Sequence, residues 1–143
     1  MPTVREIVQR KPGVYTVGPA ATVYEALQTM AARDIGALVV VAGEDILGVF
    51  SERDYARKVI LLGKSSRELA VAEIMSSPVV CADPAWSVYD CMAVMTEHRV
   101  RHLPVVSDGR LAGIVSIGDV VSAVVSEQAS TIRHLERYIA AGG

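Results

Sequence analysis

Apolar residues along this chain fall into two spacings that alternate, and the alternation runs through the sequence twice. Val23, Ala26, Leu27 and Met30 recur at helical spacing, and so do Val88, Cys91, Met92 and Met95. Each stripe opens on a capping-box pattern, Thr22-Val-Tyr-Glu25 and Ser87-Val-Tyr-Asp90. Behind each lies a short apolar run suited to a strand, residues 37–41 and 103–106. Turn residues follow, Gly43-Glu-Asp and Ser107-Asp-Gly. Second strands then lead into GVFSERD (48–54) and GIVSIGD (113–119), and a further helix is expected after each.

Shifting the chain by 65 lays residues 22–60 over 87–125 without a gap. Tyr24/Tyr89, Met30/Met95, Val40/Val105, Gly48/Gly113, Ser51/Ser116 and Asp54/Asp119 coincide, and most differences are conservative. Upstream, Pro19 and Pro84 align, while VREI (4–7) echoes VAEI (71–74) with a two-residue slip. The chain is therefore a duplication, with residues 63–69 as the polar join. Each unit runs strand, helix, strand, strand, helix, and neither could cover its apolar sheet face alone. The expected fold is α+β, two pseudo-symmetric β-α-β-β-α repeats packed sheet to sheet, with a cleft near the pseudo-twofold axis. The repeats are placed at 1–65 and 66–127, with a C-terminal helical extension at 128–143.

Composition narrows the function. With 51% apolar and 21% charged residues in 143, the chain is an ordinary globular one with a largely aliphatic core. A formal charge of −2 supplies no broad basic face, so nucleic acid is not an expected partner. The N-terminus has no apolar signal-peptide core, and the apolar runs at 37–42 and 120–125 are far too short to span a bilayer. A cytoplasmic location with no membrane partner is expected, and Cys81 and Cys91 suggest no disulfide framework.

The repeated G-x-x-S-x-x-D carries the chemistry. Ser-x-x-Asp at a helix start can be merely a cap, the hydroxyl taking an orphan N–H and the carboxylate favouring the positive helix end. The preceding glycine-bearing strand and the register across the duplication set these two segments apart from the other caps. A carboxylate can accept from both hydroxyls of a ribose, and helix-terminal N–H groups suit phosphate. Gly48 and Gly113 would let a ligand or neighbouring backbone approach closely.

The duplication, the two glycine-led segments and the run HRVRHLPVV (98–106) resemble a tandem pair of cystathionine-β-synthase (CBS) domains, a Bateman module, over nearly the whole chain. The resemblance implies adenosine ligands bound in the cleft and association of two pairs into a homodimer. It places the purine between Ile35, Leu38 and Val49 in one copy, and between Val100, Leu103 and Ile114 in the other. Thr16 and Cys81 would lie beside base and sugar. Gly36 and Ala37, or Arg101, His102 and Pro104, would form the strand entrances. Ser51, Arg53 and Asp54, or Ser116, Gly118 and Asp119, would form the helix starts. Arg57 and Lys58 read as solvated surface; the cations of the two copies complement one another if both phosphates meet near the cleft centre, and two adenosine sites of unequal affinity are expected.

Other signals fall away. Gly63-Lys-Ser-Ser66 looks like the end of a P-loop, but Lys58 stands where that motif needs glycine. His98 and His102 have i,i+4 spacing, but Leu103-Pro104 implies that the helix ends between them, so no metal is expected. No catalytic pair stands out. The expected function is a non-enzymatic sensor without a catalytic cofactor, binding AMP-like ligands, with ADP, ATP, NAD or S-adenosylmethionine open. The alternative is a dimeric interaction scaffold with a vestigial cleft. Ile132, Leu135 and Ile139 repeat at helical spacing and would either cover the chain's own module or form a dimer contact.

Overall fold

Both capping patterns open the helices they predict. In a computed structural model describing residues 2–142, the Thr22 and Ser87 hydroxyls accept from the N–H groups of Glu25 and Asp90, whose carboxylates return the bond to the cap N–H. The helices α2 (Val23–Arg33) and α5 (Val88–His98) follow. Both end at a left-handed residue, Asp34 with φ 53° and Arg99 with φ 55°. Val23, Ala26 and Met30, like Val88, Cys91 and Met95, face inward as their spacing requires, while Met92 is about a third exposed.

The strands repeat as faithfully. The pair β2 (Ala37–Ala42) and β3 (Asp45–Ser51) is antiparallel, as is the pair β4 (His102–Ser107) and β5 (Arg110–Ser116). Both ladders slip register at equivalent places, between Val40 and Val41 and between Val105 and Val106. The leading strands differ. In the first copy β1 (Thr16–Val17) pairs in parallel with Val39 and Val40, but in the second only a single bridge, Ala82 to Val105, remains. Pro104 stands where β2 has Val39, and without an N–H it cannot extend the ladder to Cys81.

The closing helices also diverge. The first copy has one α turn, α3 (Glu52–Tyr55), passing into a π-helical segment, Ala56–Ile60. The second has a single helix, α6 (Ile117–Gly142), of 26 residues. The expected extension beyond 127 is thus the continuation of α6, with Gly143 outside the described residues.

The VREI and VAEI echoes form α1 (Val4–Gln9) and α4 (Val71–Ile74), and these helices are exchanged between the cores. Val4 and Ile7 pack with Ala82, Val88, Leu103 and Val120, whereas Val71 and Ile74 pack with Val23, Leu38, Phe50 and Val59. Backbone bonds fix each exchange, Val4 N–H to Trp86 O and Val71 N–H to Ala21 O among them. Each hydrophobic core therefore draws on both halves of the sequence.

Candidate functional site

The exchanged helices explain the repeated glycine. A Cβ at Gly48 would lie 2.6 Å from Met75 Sδ and 2.9 Å from Ser76 O, and one at Gly113 would lie 2.8 Å from Val8 Cγ1. Close approach is needed in both copies, and the approaching group is the protein's own chain after α4 and at the end of α1.

Ser and Asp are caps as well. The Asp54 N–H donates to Ser51 Oγ (3.2 Å), and Asp54 Oδ2 accepts from the Ser51 N–H (3.0 Å) and hydroxyl (3.1 Å). In the second copy the Asp119 N–H donates to Ser116 Oγ (3.1 Å), and Asp119 Oδ2 accepts from the Ser116 N–H (2.9 Å). The first helical amides donate across to the strand entrances, Glu52 N–H to Gly36 O and Ile117 N–H to Arg101 O. Two of the first three helical amides are thus engaged within the protein at each turn.

What faces each carboxylate differs. Asp54 is 7% exposed. Its Oδ1 accepts from the Ser76 hydroxyl at 2.8 Å and pairs with Lys58 Nζ at 3.2 Å. Together with the capping bonds, this fills the roughly four lone-pair sites of a carboxylate. At Asp119 the partner is Lys11, whose ammonium lies 2.8 Å from Oδ2 and donates to Ile114 O at 2.9 Å. Burial pushes the Asp119 carboxyl up, but Lys11 and the Ser116 bonds outweigh it and hold the group below the usual carboxylate range.

A cleft of about 450 Å³ opens at the first turn and runs to the second copy's strand entrance. Its walls bring together Gly36, Val49, Ser51, Arg53, Asp54, Val100, Arg101 and His102 from the sequence-derived set. Arg57 and Lys58 also border the cleft, Arg57 exposed and Lys58 with 43% of its side chain exposed. The set had omitted Glu52, Ser76, Pro78, Val79, Val80 and Arg99, and had omitted Lys11 at the other turn. The two-residue slip between VREI and VAEI was the available signal, since it marks where the segments crossing the two turns differ.

Other members of the set lie elsewhere. Leu38 and Leu103 are fully buried, one in each hydrophobic core, because alternate strand residues point inward there. Ala37 and Pro104 are buried too; Ile35 is half-buried against the first core. Thr16 is exposed on β1, and Cys81 is half-buried with its thiol pushed up by burial. Ile114, Ser116, Gly118 and Asp119 belong to the second turn and do not line the cleft.

Charge gives the cleft its character. Arg53, Arg57, Lys58, Arg99 and Arg101 supply five cationic side chains against two carboxylates, Glu52 and Asp54. His102 lies between the two turns. Burial lowers its pKa, Lys11 and Arg101 push the same way, and Asp119 and Asp54 oppose them. A neutral imidazole amid arginines can accept a proton when an anion arrives. Among the described residues, no three His, Cys, Asp or Glu side chains converge as a metal site, and no helix is long and apolar enough to cross a membrane.

Known proteins share this architecture. The chain is 43% identical over 126 residues to the mitochondrial CBS domain-containing protein CBSX3 of Arabidopsis thaliana, covering 85% of this chain and 61% of that protein. A protein with CBS domains from Burkholderia ambifaria superposes with a TM-score of 0.84 at 49% identity, covering 89% of this chain and 96% of that one. A hexameric CBS-CP12 protein of bloom-forming cyanobacteria superposes with a TM-score of 0.77 at 28% identity, over 85% of this chain and 70% of that one. The CBS domain model matches twice, at residues 4–60 and 71–126, and the chain belongs to the CBS-domain family as a tandem pair.

Proposed function

We propose that the chain is a non-enzymatic sensor that binds an adenosine nucleotide, phosphates foremost, in the cleft between Asp54 and His102. The carrying observation is that one cleft of ligand size joins the first copy's helix start to the second copy's cationic strand entrance. The excess of cations favours ADP or ATP over AMP, because each added phosphate oxygen gains charge-assisted partners. A ribose hydroxyl would take the place of the Ser76 hydroxyl on Asp54 Oδ1, one neutral donor for another. Isothermal titration with adenosine, AMP, ADP, ATP and NAD tests the reading. Affinity is expected to rise with phosphate number; equal affinity for adenosine and ATP, or no heat from any of them, would refute it.

The closed capping boxes favour a second reading, in which Ser and Asp are structural and the pair is a scaffold. Unchanged melting at saturating ATP would select it. Under either reading the natural partner is a second copy. Along α6, Val125, Ile132 and Ile139 stand seven residues apart, with Leu135 between the last two, all more than half exposed. The three β-branched residues hold the seven-residue spacing of a two-stranded seam, with Leu135 at one intervening position and Gln128 at the other. Truncation after Glu127 is expected to reduce the mass seen by light scattering.

A further inference from the structure

The two copies solve one local problem with different residues. In the first, the chain leaving α4 lies against β3. Ser76 N–H donates to Val49 O, Val49 N–H donates to Ser76 O, and the Ser76 hydroxyl reaches Asp54. In the second, α1 is two residues longer than α4, six against four, and its own tail turns back, with Lys11 N–H donating to Val8 O. The Lys11 side chain then does alone what Ser76 does with backbone and hydroxyl. Its ammonium binds both Ile114 O, the equivalent of Val49 O, and Asp119, the equivalent of Asp54.

We propose that Lys11 is the resident occupant of the second turn, holding the position a sugar hydroxyl would need and limiting the pair to one nucleotide per chain. This rests on the nucleotide reading of the first cleft. At the first turn an entering hydroxyl exchanges with the Ser76 hydroxyl on Asp54 Oδ1, beside the Lys58 ammonium at 3.2 Å. At the second the group in Ser76's place is the Lys11 ammonium, bonded to Asp119 Oδ2 at 2.8 Å and Ile114 O at 2.9 Å, both charge-assisted, and a hydroxyl taking that place displaces it. Lys11 and Asp119 are each only about a quarter exposed, so water screens the pair incompletely. The residue thus decides stoichiometry without lining the open cleft.

Equilibrium dialysis with labelled ATP against the full chain decides the matter. The wild type is expected to bind one ATP per chain at saturation, and Lys11→Ser, which removes the ammonium from the second turn, two. The reverse exchange, Ser76→Lys, is expected to weaken the first site at least tenfold while the protein stays folded by circular dichroism. It carries the test if Lys11→Ser does not fold. Two ATP per wild-type chain would overturn the inference, as would a folded Lys11→Ser that still binds one. Such results leave the nucleotide reading standing. ATP binding by neither wild type nor Lys11→Ser would remove the nucleotide reading and this inference together.

Discussion

The Asp54 and Asp119 turns share a sequence pattern, a strand register and a capping box, yet they present different surfaces. Asp54 is nearly buried, bonded to saturation and set in a cleft walled by both copies. Asp119 is more open but clasped by a single ammonium. Duplication preserved what holds each turn in shape and released what faces it. The G-x-x-S-x-x-D pattern is therefore first a folding motif. Whether it also binds depends on the segment laid across it, Ser76–Val80 at one turn and Lys11 at the other.

The sharpest way to break this comparison is at the glycines. Gly48→Ala would drive a methyl into Met75 and into the backbone oxygen of Ser76, which is tied to β3 and cannot retreat. A loss of about 3 kcal/mol is expected, at the top of the range for overpacking. Gly113→Ala meets only the Val8 side chain, near the end of a short helix, and about 1 kcal/mol is expected. Urea midpoints of the two variants measure the difference; equal losses would mean that the crossing segments are held alike.

The carboxylates come next. Asp54→Ala removes a cap and strands the Ser76 hydroxyl beside a nearly buried position, while Lys58, 43% exposed, keeps its bond to Ile74 O, for an expected cost of about 2 kcal/mol. Asp119→Ala removes a comparable cap, and Lys11 keeps its bond to Ile114 O, so about 1 kcal/mol is expected. If Asp119→Ala proved the costlier, the Lys11 clasp would be a main support of the fold instead of an occupant.

Much of this was legible in the sequence, and the reasons are local. Helix stripes, capping boxes and strand pairs follow from periodicity and neighbouring residues, so α2, α5 and both β-ladders stand where the pattern puts them. Exchange of α1 and α4 was not legible, because VREI and VAEI carry the same apolar pattern whichever core they join. Leu38 and Leu103 show the limit at the site. Gly36 and His102 on the same strand entrances line the cleft, but the pleat sends the Leu38 and Leu103 side chains to the cores. Lys11 had only the two-residue slip between VREI and VAEI to mark it, since it meets Asp119 across 108 positions of chain.

The smallest expected effect tests the comparison from the cleft side. His102 has Ala37 as its counterpart, so only one copy offers a group that titrates near neutrality. Burial, Lys11 and Arg101 lower its folded-state pKa against the pull of Asp119 and Asp54. Below the unfolded value of about 6.5, the unfolded chain therefore binds more protons than the folded one. His102's contribution to stability is complete above that pH and declines as pH falls through the lowered folded pKa. A phosphate in the cleft reverses the preference, since it favours imidazolium. ATP affinity is thus expected to rise a few-fold between about pH 8 and about pH 6, while stability without ligand falls. His102→Gln should flatten both trends, leaving only the titration of the phosphate itself. If the variant kept the wild-type pH profile of ATP affinity, the cleft's anion would lie away from His102, and the strand entrance of the second copy would lose its place in the site.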